Sequence, residues 1–172
     1  MNQSLYDFLR THCKTHEVRS YLEIGTRDGD SLRVVAEAAK SLNRVVCCDT
    51  WGNEYGGSGR GSATHIQNML SAVGYSGALT CLTGDSKATV PALTETFDLV
   101  LVDGDHSYAG GMADLVNTWP LVASGGCVAF HDITHPAHMD LLHCFSEFVA
   151  SRETLGWRTI VEPYGVGVVF KP

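Results

Sequence analysis

The sequence predicts an α/β fold: a single Rossmann-like domain over residues 1–172, built on a mostly parallel seven-stranded sheet with helices on both faces and a closing antiparallel hairpin. Three observations predict it. First, five short apolar runs recur: YLEI (21–24), RVVCCD (44–49), ALTCL (78–82), FDLVLVD (97–103) and GCVAFHD (126–132). Second, they alternate with stretches of helical spacing at 30–41, 62–73, 86–93 and 108–122. Strands that are apolar throughout, rather than at every other residue, are buried on both faces, and regular alternation with helices makes the sheet parallel. Third, the last part of the chain departs from this pattern. A helical stretch at 136–153 precedes WRTIVE and VGVVF, and the turn-prone PYG between them joins the two as a hairpin at the sheet edge. A chain of 172 residues is long enough for one sizeable core and short for two.

Residues 4–16, with Leu5, Phe8, Leu9 and His12 on one face, form an amphipathic helix within the amino-terminal segment 1–19; it packs either on the sheet or over the site. The segment WGNEYGGSGRGSAT (51–64) carries five glycines and no periodicity, which marks a lid or binding loop near the site. With a net charge of −7, only 12 Lys plus Arg and no basic cluster, the surface repels a phosphate backbone, so no nucleic-acid partner is expected. No apolar run approaches the ~20 residues that span a bilayer, so no membrane role is expected either. The polar, mixed-charge start lacks a secretory signal and points to the cytoplasm. Six cysteines show no C-x-x-C spacing and sit mostly in apolar runs, as buried reduced thiols do. A homodimer is the expected assembly, dimers being the commonest.

In an open α/β sheet the ligand sits beyond the carboxyl ends of the strands, where strand order reverses. Every strand here ends in an acid. After the first run come Glu23, Gly25, Thr26, Arg27, Asp28 and Gly29; after the second, Asp49, Thr50 and Trp51; after the third, Gly84, Asp85 and Ser86. The fourth is followed by Asp103, Gly104, Asp105 and His106, and the fifth by His131 and Asp132. Any one of these acids could be a helix cap or turn residue, Asp28 and Asp85 especially, but capping does not account for all of them. Asp49 lies 20 residues beyond Gly29, the position of a carboxylate that accepts from a ribose hydroxyl pair. The first turn, EIGTRDGDS, offers G-x-x-x-G rather than G-x-G-x-x-G. It also sets Glu23, Asp28 and Asp30 against a single Arg27, which disfavours a diphosphate and suits a ligand carrying an ammonium and a sulfonium.

The run E-I-G-T-x-x-G-x-S, an acid after the second strand, G-D-S after the third, and then FDLVLVDGDHSYAGGMADLVNTWPLVASGGCVAFHDI resemble the class I S-adenosylmethionine-dependent methyltransferases. The last stretch is most similar to the branch that includes the macrocin and mycinamicin sugar O-methyltransferases and cephalosporin-hydroxylase-like proteins. The resemblance covers residues 20–132. It implies S-adenosyl-L-methionine as cofactor and a small-molecule hydroxyl as methyl acceptor. It also implies that Glu23 and the turn through Gly25, Thr26 and Gly29 meet the methionine end, that Asp49 holds the ribose with Thr50 also in the cofactor site, that Trp51 lies near the adenine or the loop entrance, and that Asp85 and Ser86 contact the adenine edge. Asp103, at the end of the fourth strand, borders both cofactor and acceptor.

Methyl transfer to a hydroxyl needs alignment and a way to weaken the acceptor's O–H; a bound divalent cation or a neighbouring imidazole supplies it. The resemblance implies Asp103 as a metal ligand with the pair after the fifth strand, His131-Asp132, and His106 as general base, so that Asp103 and His106 carry the chemistry. Where the magnesium-binding members have two adjacent acids, this chain has His131-Asp132, a donor set that weakens the case for Mg²⁺ and admits a softer ion such as Mn²⁺ or Zn²⁺, or no metal at all. The histidines of HDITHPAHMDLLHC do not make a separate zinc site by sequence reasoning. Pro136 breaks any helix through His135, and His138 and His143 on a following helix would face different ways. Asp105 is expected to cap the helix starting at SYAGGMADL. Two other readings use the same layout: a nicotinamide-dependent oxidoreductase, disfavoured by the missing glycine, and a non-catalytic methyltransferase-like module.

Overall fold

The computed structural model describes residues 3–52, 61–161 and 164–172. Helix α1 spans Gln3–Thr15. Three β-α units follow: β1 (Ser20–Ile24) and α2 (Asp30–Ala38), β2 (Arg44–Asp49) and α3 (Ala63–Ala72), β3 (Ala78–Thr83) and α4 (Ser86–Thr89). After these come β4 (Phe97–Val102), α5 (Tyr108–Thr118), β5 (Val122–His131), α6 (Leu141–Ala150), β6 (Gly156–Ile160) and β7 (Val166–Phe170). The sheet has seven strands in the order β3-β2-β1-β4-β5-β7-β6. Strands β1 to β5 pair in parallel, while β7 runs antiparallel to both of its neighbours, so the hairpin closes the sheet as its sequence predicts.

Both sheet faces are covered, which is why the strands are apolar throughout. On one face Leu5, Phe8 and Leu9 of α1, Val35 of α2, and Ile66 and Leu70 of α3 pack on Tyr21, Val45, Leu99 and Leu101. On the other, Leu115 of α5 and Leu141, Phe145 and Phe148 of α6 pack on Leu22, Val46, Val100 and Val128. Helix α1 thus packs on the sheet, the first of the two placements its amphipathic face allowed. All six cysteines are free thiols and all but Cys81 are buried. Burial pushes the Cys13, Cys127 and Cys144 thiols up to about 12, where they are unreactive.

Prolines account for most differences from the predicted elements. The helix expected at 86–93 is one α-turn followed by a 3-10 turn at Val90–Ala92 holding Pro91. The helix expected at 108–122 gives way to 3-10 geometry at Trp119–Leu121, around Pro120. The helix expected at 136–153 runs only from Leu141 to Ala150; residues 132–140, with Pro136, are turns and irregular chain. Strand β5 starts earlier than expected, at Val122, and its glycines fall where the register against β4 shifts. Most of the glycine-rich segment, residues 53–60, and the turn residues 162–163 lie outside the described residues.

Candidate functional site

Strand order reverses between β1 and β4, and the turns that follow β1, β2, β3, β4 and β5 line one cavity there. The strand ladders run on into these turns. Gly25 N–H donates to Cys48 O, Gly84 N–H to Asp49 O and Asp103 N–H to Ile24 O, at 2.9, 3.0 and 2.9 Å. Gly25 lies at φ +83°, and a Cβ there would be 1.9 Å from the Asp103 carbonyl oxygen. Only glycine lets the β1 turn close against the end of β4. Among the described residues three non-glycines also adopt positive φ: Arg27, Trp51 and Asp132, each at the carboxyl end of a strand. Such conformations persist where surrounding structure enforces them, and they gather at functional sites.

Of the cofactor residues expected from sequence, Gly25, Asp49, Thr50, Asp85, Ser86 and Asp103 line the cavity. Asp49 is oriented by two backbone amides: Arg27 N–H donates to Oδ2 and Trp51 N–H to Oδ1, both at 2.7 Å. Asp85 caps α4, accepting from Lys87 N–H at 2.9 Å, and so combines the capping and lining roles the sequence left open. Glu23, Thr26, Gly29 and Trp51 are not among the lining residues. Glu23 is fully buried, its carboxylate accepting from Tyr21 OH and Ser31 Oγ at 2.7 Å each. Burial pushes its pKa up to about 8, with Asp103 and Asp49 adding to the effect and the two hydroxyl donors opposing it. Thr26 is buried, and Gly29 abuts Ile66 and Met69 of α3 at φ +81°. Trp51 donates its indole N–H to Thr83 Oγ1 at 3.0 Å.

The residues expected to carry chemistry converge. Asp103 Oδ1 lies 3.0 Å from His131 Nδ1 and 3.4 Å from His106 Nε2, and the same His106 nitrogen is 3.5 Å from Asp132 Oδ2. Burial opposes ionisation of Asp103, but the charge of His131 and hydrogen bonds from His106 and His131 outweigh it and hold the carboxyl well below the usual range. The two imidazoles move the other way: burial would lower them, and the facing Asp103 and Asp132 raise both. Asp132 is raised chiefly by burial. Ligand atoms of Asp103, His131 and Asp132 all lie within 4.8 Å of one another, and buried Asp132 Oδ1, though 3.2 Å from His131 Nδ1, accepts no hydrogen bond among the described residues. Two carboxylates and an imidazole, one oxygen of them unsatisfied, fit a divalent cation of the Mn²⁺ or Zn²⁺ type better than Mg²⁺.

Two sequence expectations are corrected. Asp105 does not cap α5. Ser107 does, accepting from Gly110 N–H at 3.0 Å, whereas Asp105 accepts from Ser107 N–H at 2.9 Å and pairs with Lys87 Nζ at 3.0 Å. His138 is not on a helix; it sits in the turns before α6, its ring 4.4 Å from that of His106. Pro136 excludes helical geometry through His135 yet permits the fold-back that brings the His138 ring to His106. Sequence reasoning also passed over Asp114, a fully buried carboxyl on α5 that accepts from Ser86 Oγ at 2.6 Å and is pushed up to about 6 by burial. An acid on the apolar face of a predicted helix was the signal available for it. Lys87, which lines the cavity between Asp85 and Asp105, gave none.

An open sheet that reverses order at a cavity lined by acids defines a Rossmann-like α/β domain, in which ligands bind beyond the carboxyl ends of the strands. The chain belongs to a family of proteins with a methyltransferase domain, whose model matches residues 22–133, more than half of the sequence. No curated protein matches it by sequence. Solved structures share the fold. One is the O-methyltransferase TomG from Streptomyces achromogenes, involved in tomaymycin synthesis and solved with SAM: TM-score 0.76, 20% identity, 99% of this chain and 81% of that one. Another is an O-methyltransferase from Bacillus cereus in complex with SAH: TM-score 0.74, 18% identity, 99% and 82%. A third is CalS11, a TDP-rhamnose 3'-O-methyltransferase of calicheamicin biosynthesis: TM-score 0.70, 18% identity, 98% and 78%. Among the described residues no helix is long and apolar enough to cross a membrane.

Proposed function

We propose that this chain is an S-adenosylmethionine-dependent methyltransferase that methylates a hydroxyl of a small molecule, with His106 as the proton acceptor. One observation carries the reading: a single cavity joins the amide-oriented Asp49 carboxylate to the Asp103–His106–Asp132 cluster. Family membership and the cofactors named for TomG and the Bacillus cereus protein support the same ligand. In this reading the remaining lone pairs of Asp49 accept from the ribose hydroxyls, beside Thr50. Asp85 and Ser86 meet the adenine edge, with Asp114 below holding the Ser86 hydroxyl. Gly25 gives the methionine end room beside the β1 turn, with Thr26 and Gly29 shaping the turn and Trp51 backing the adenine side. Glu23, kept behind this turn, acts through Ser31 and Tyr21 on its shape rather than by touching the ligand.

The methyl group passes in line from sulfonium sulfur to the acceptor oxygen; the S–C bond breaks as the O–C bond forms, and the hydroxyl proton goes to the His106 imidazole. Asp103 and Asp132 stabilise the imidazolium that results. Asp103, His131 and Asp132 would hold a divalent cation, which when bound lowers the pKa of the acceptor hydroxyl.

Calorimetry with S-adenosylmethionine, S-adenosylhomocysteine and NAD tests the cofactor: binding in the micromolar range, on the order of −8 kcal/mol, is expected for the first two. Heat with NAD alone would overturn the reading. Asp49→Ala is expected to lose cofactor binding. His106→Ala is expected to retain it while turnover falls roughly 100- to 10,000-fold, the range of a general base.

A further inference from the structure

We propose that the chain carries a second, imidazole-rich cation site, formed by His106, His138 and Asp132, that takes a transition ion such as Zn²⁺ in preference to Mg²⁺. One potential ligand atom from each of the three lies within 4.8 Å of the others. The carboxylate of Asp132 is divided between two sets of neighbours. Its Oδ1 is 3.2 Å from His131 Nδ1, whereas Oδ2 is 3.5 Å from His106 Nε2 on the side where His138 sits. Asp132 is 8% exposed and held at φ +60°, a backbone conformation that a non-glycine residue keeps only when its surroundings enforce it.

The second observation concerns His138. Its backbone is fixed on both sides: its N–H donates to His135 O at 2.9 Å, and its carbonyl accepts from Leu141 N–H at 3.1 Å. Its half-buried ring is held 4.4 Å from the ring of His106 and 4.7 Å from that of His135, which in turn rests 4.3 Å from Tyr164. Among the described residues nothing hydrogen-bonds to the ring nitrogens of His138, which leaves them available beside the His106 ring. An ion shared with His106 and Asp132 is within reach of that ring. Two imidazoles and one carboxylate, with positions left open toward the cavity, suit Zn²⁺ or Co²⁺; Mg²⁺ keeps oxygen ligands and its water.

One consequence rests on the proposed role of His106 as base. A neutral imidazole has a single lone pair, so a ring that gives it to an ion cannot take the acceptor's proton, and the loaded protein transfers methyl groups more slowly.

The test is a Co²⁺ titration of the tag-free, metal-stripped full chain in excess Mg²⁺, read by visible absorption, followed by displacement with Zn²⁺. Ligand-field bands are expected in the parent and in Asp103→Asn. They are expected to vanish when His138→Ala is added to Asp103→Asn, in which the Asp103–His131–Asp132 set is disrupted, with Zn²⁺ affinity falling roughly 100-fold or more, since loss of supporting groups alone costs 10- to 100-fold. Unchanged far-UV circular dichroism and thermal midpoint show that His138→Ala is folded. Absent bands in Asp103→Asn, or bands there that are indifferent to the added His138→Ala, would overturn the site. If bands follow His138 but turnover of the Zn²⁺-loaded protein is undiminished, the ion site stands and the base role of His106 fails.

Discussion

His12 shows how far a single side chain can depart from its ordinary chemistry when the fold buries it. It lies 4% exposed on α1, stacked 4.2 Å from His16, with Nε2 3.6 Å from Cys127 Sγ and Nδ1 without a hydrogen-bond partner among the described residues. Burial, reinforced by the neighbouring His16 and Arg158, pushes its pKa down to about 4. In the unfolded chain it titrates near 6.5, so between pH 6.5 and 4 the unfolded state takes up a proton that the folded state refuses. His12 therefore favours the folded chain fully above pH 6.5, and this advantage is lost as pH falls toward 4, by an amount on the order of 3 kcal/mol at the limit. Urea unfolding at pH 7 and pH 4.5 is expected to show a smaller acid loss for His12→Phe than for the parent. An equal loss in both would place the acid sensitivity elsewhere.

At the scale of elements, two glycines with nearly the same backbone separate conformational strain from close approach. Gly25 and Gly74 lie at φ +83° and +82°, but a Cβ at Gly74 would meet nothing within 4 Å, whereas at Gly25 it would strike the backbone of Asp103. Gly74→Ala is expected to cost about 1 kcal/mol, the left-handed penalty alone. Gly25→Ala adds the separation of the β1 turn from the end of β4, and is expected to cost several-fold more and to abolish cofactor binding; denaturant titration and calorimetry of both variants check this. The same level shows what sequence reasoning reached. Runs such as FDLVLVD announce buried parallel strands because they are short, apolar throughout and alternate with stretches of helical spacing. Helix ends were less legible, since Pro91, Pro120 and Pro136 shorten helices whose hydrophobic spacing continues past them.

For the molecule as a whole, strand order turns scattered acids into one site. Asp49, Asp85, Asp103 and Asp132 are far apart in sequence yet line one cavity because β1 to β5 are parallel and their carboxyl ends coincide. This much was legible, for it follows from polarity alone. Contacts made by side chains from irregular chain were not: His138 reaches His106 only through the turns after β5, and no periodicity encodes that path. A ligand that binds the folded chain alone stabilises it by about 2.7 kcal/mol at a hundredfold excess over its dissociation constant, which for a chain of this size raises the midpoint by roughly 5–10 °C. S-adenosylhomocysteine is expected to produce such a rise in differential scanning fluorimetry, and Asp49→Ala to erase it.

The two amide donors to Asp49 bear on how a ligand would be received. In many binding sites a carboxylate must give up rotamers and shed water when its partner arrives, and that ordering subtracts from affinity. Here the carboxylate is already fixed by Arg27 N–H and Trp51 N–H, in turns whose left-handed residues were set during folding. The entropy of ordering belongs to folding rather than to association, so recognition of a hydroxyl donor at Asp49 is expected to be rapid and close to rigid-body, with calorimetric entropies less unfavourable than those of a site that must assemble around its ligand.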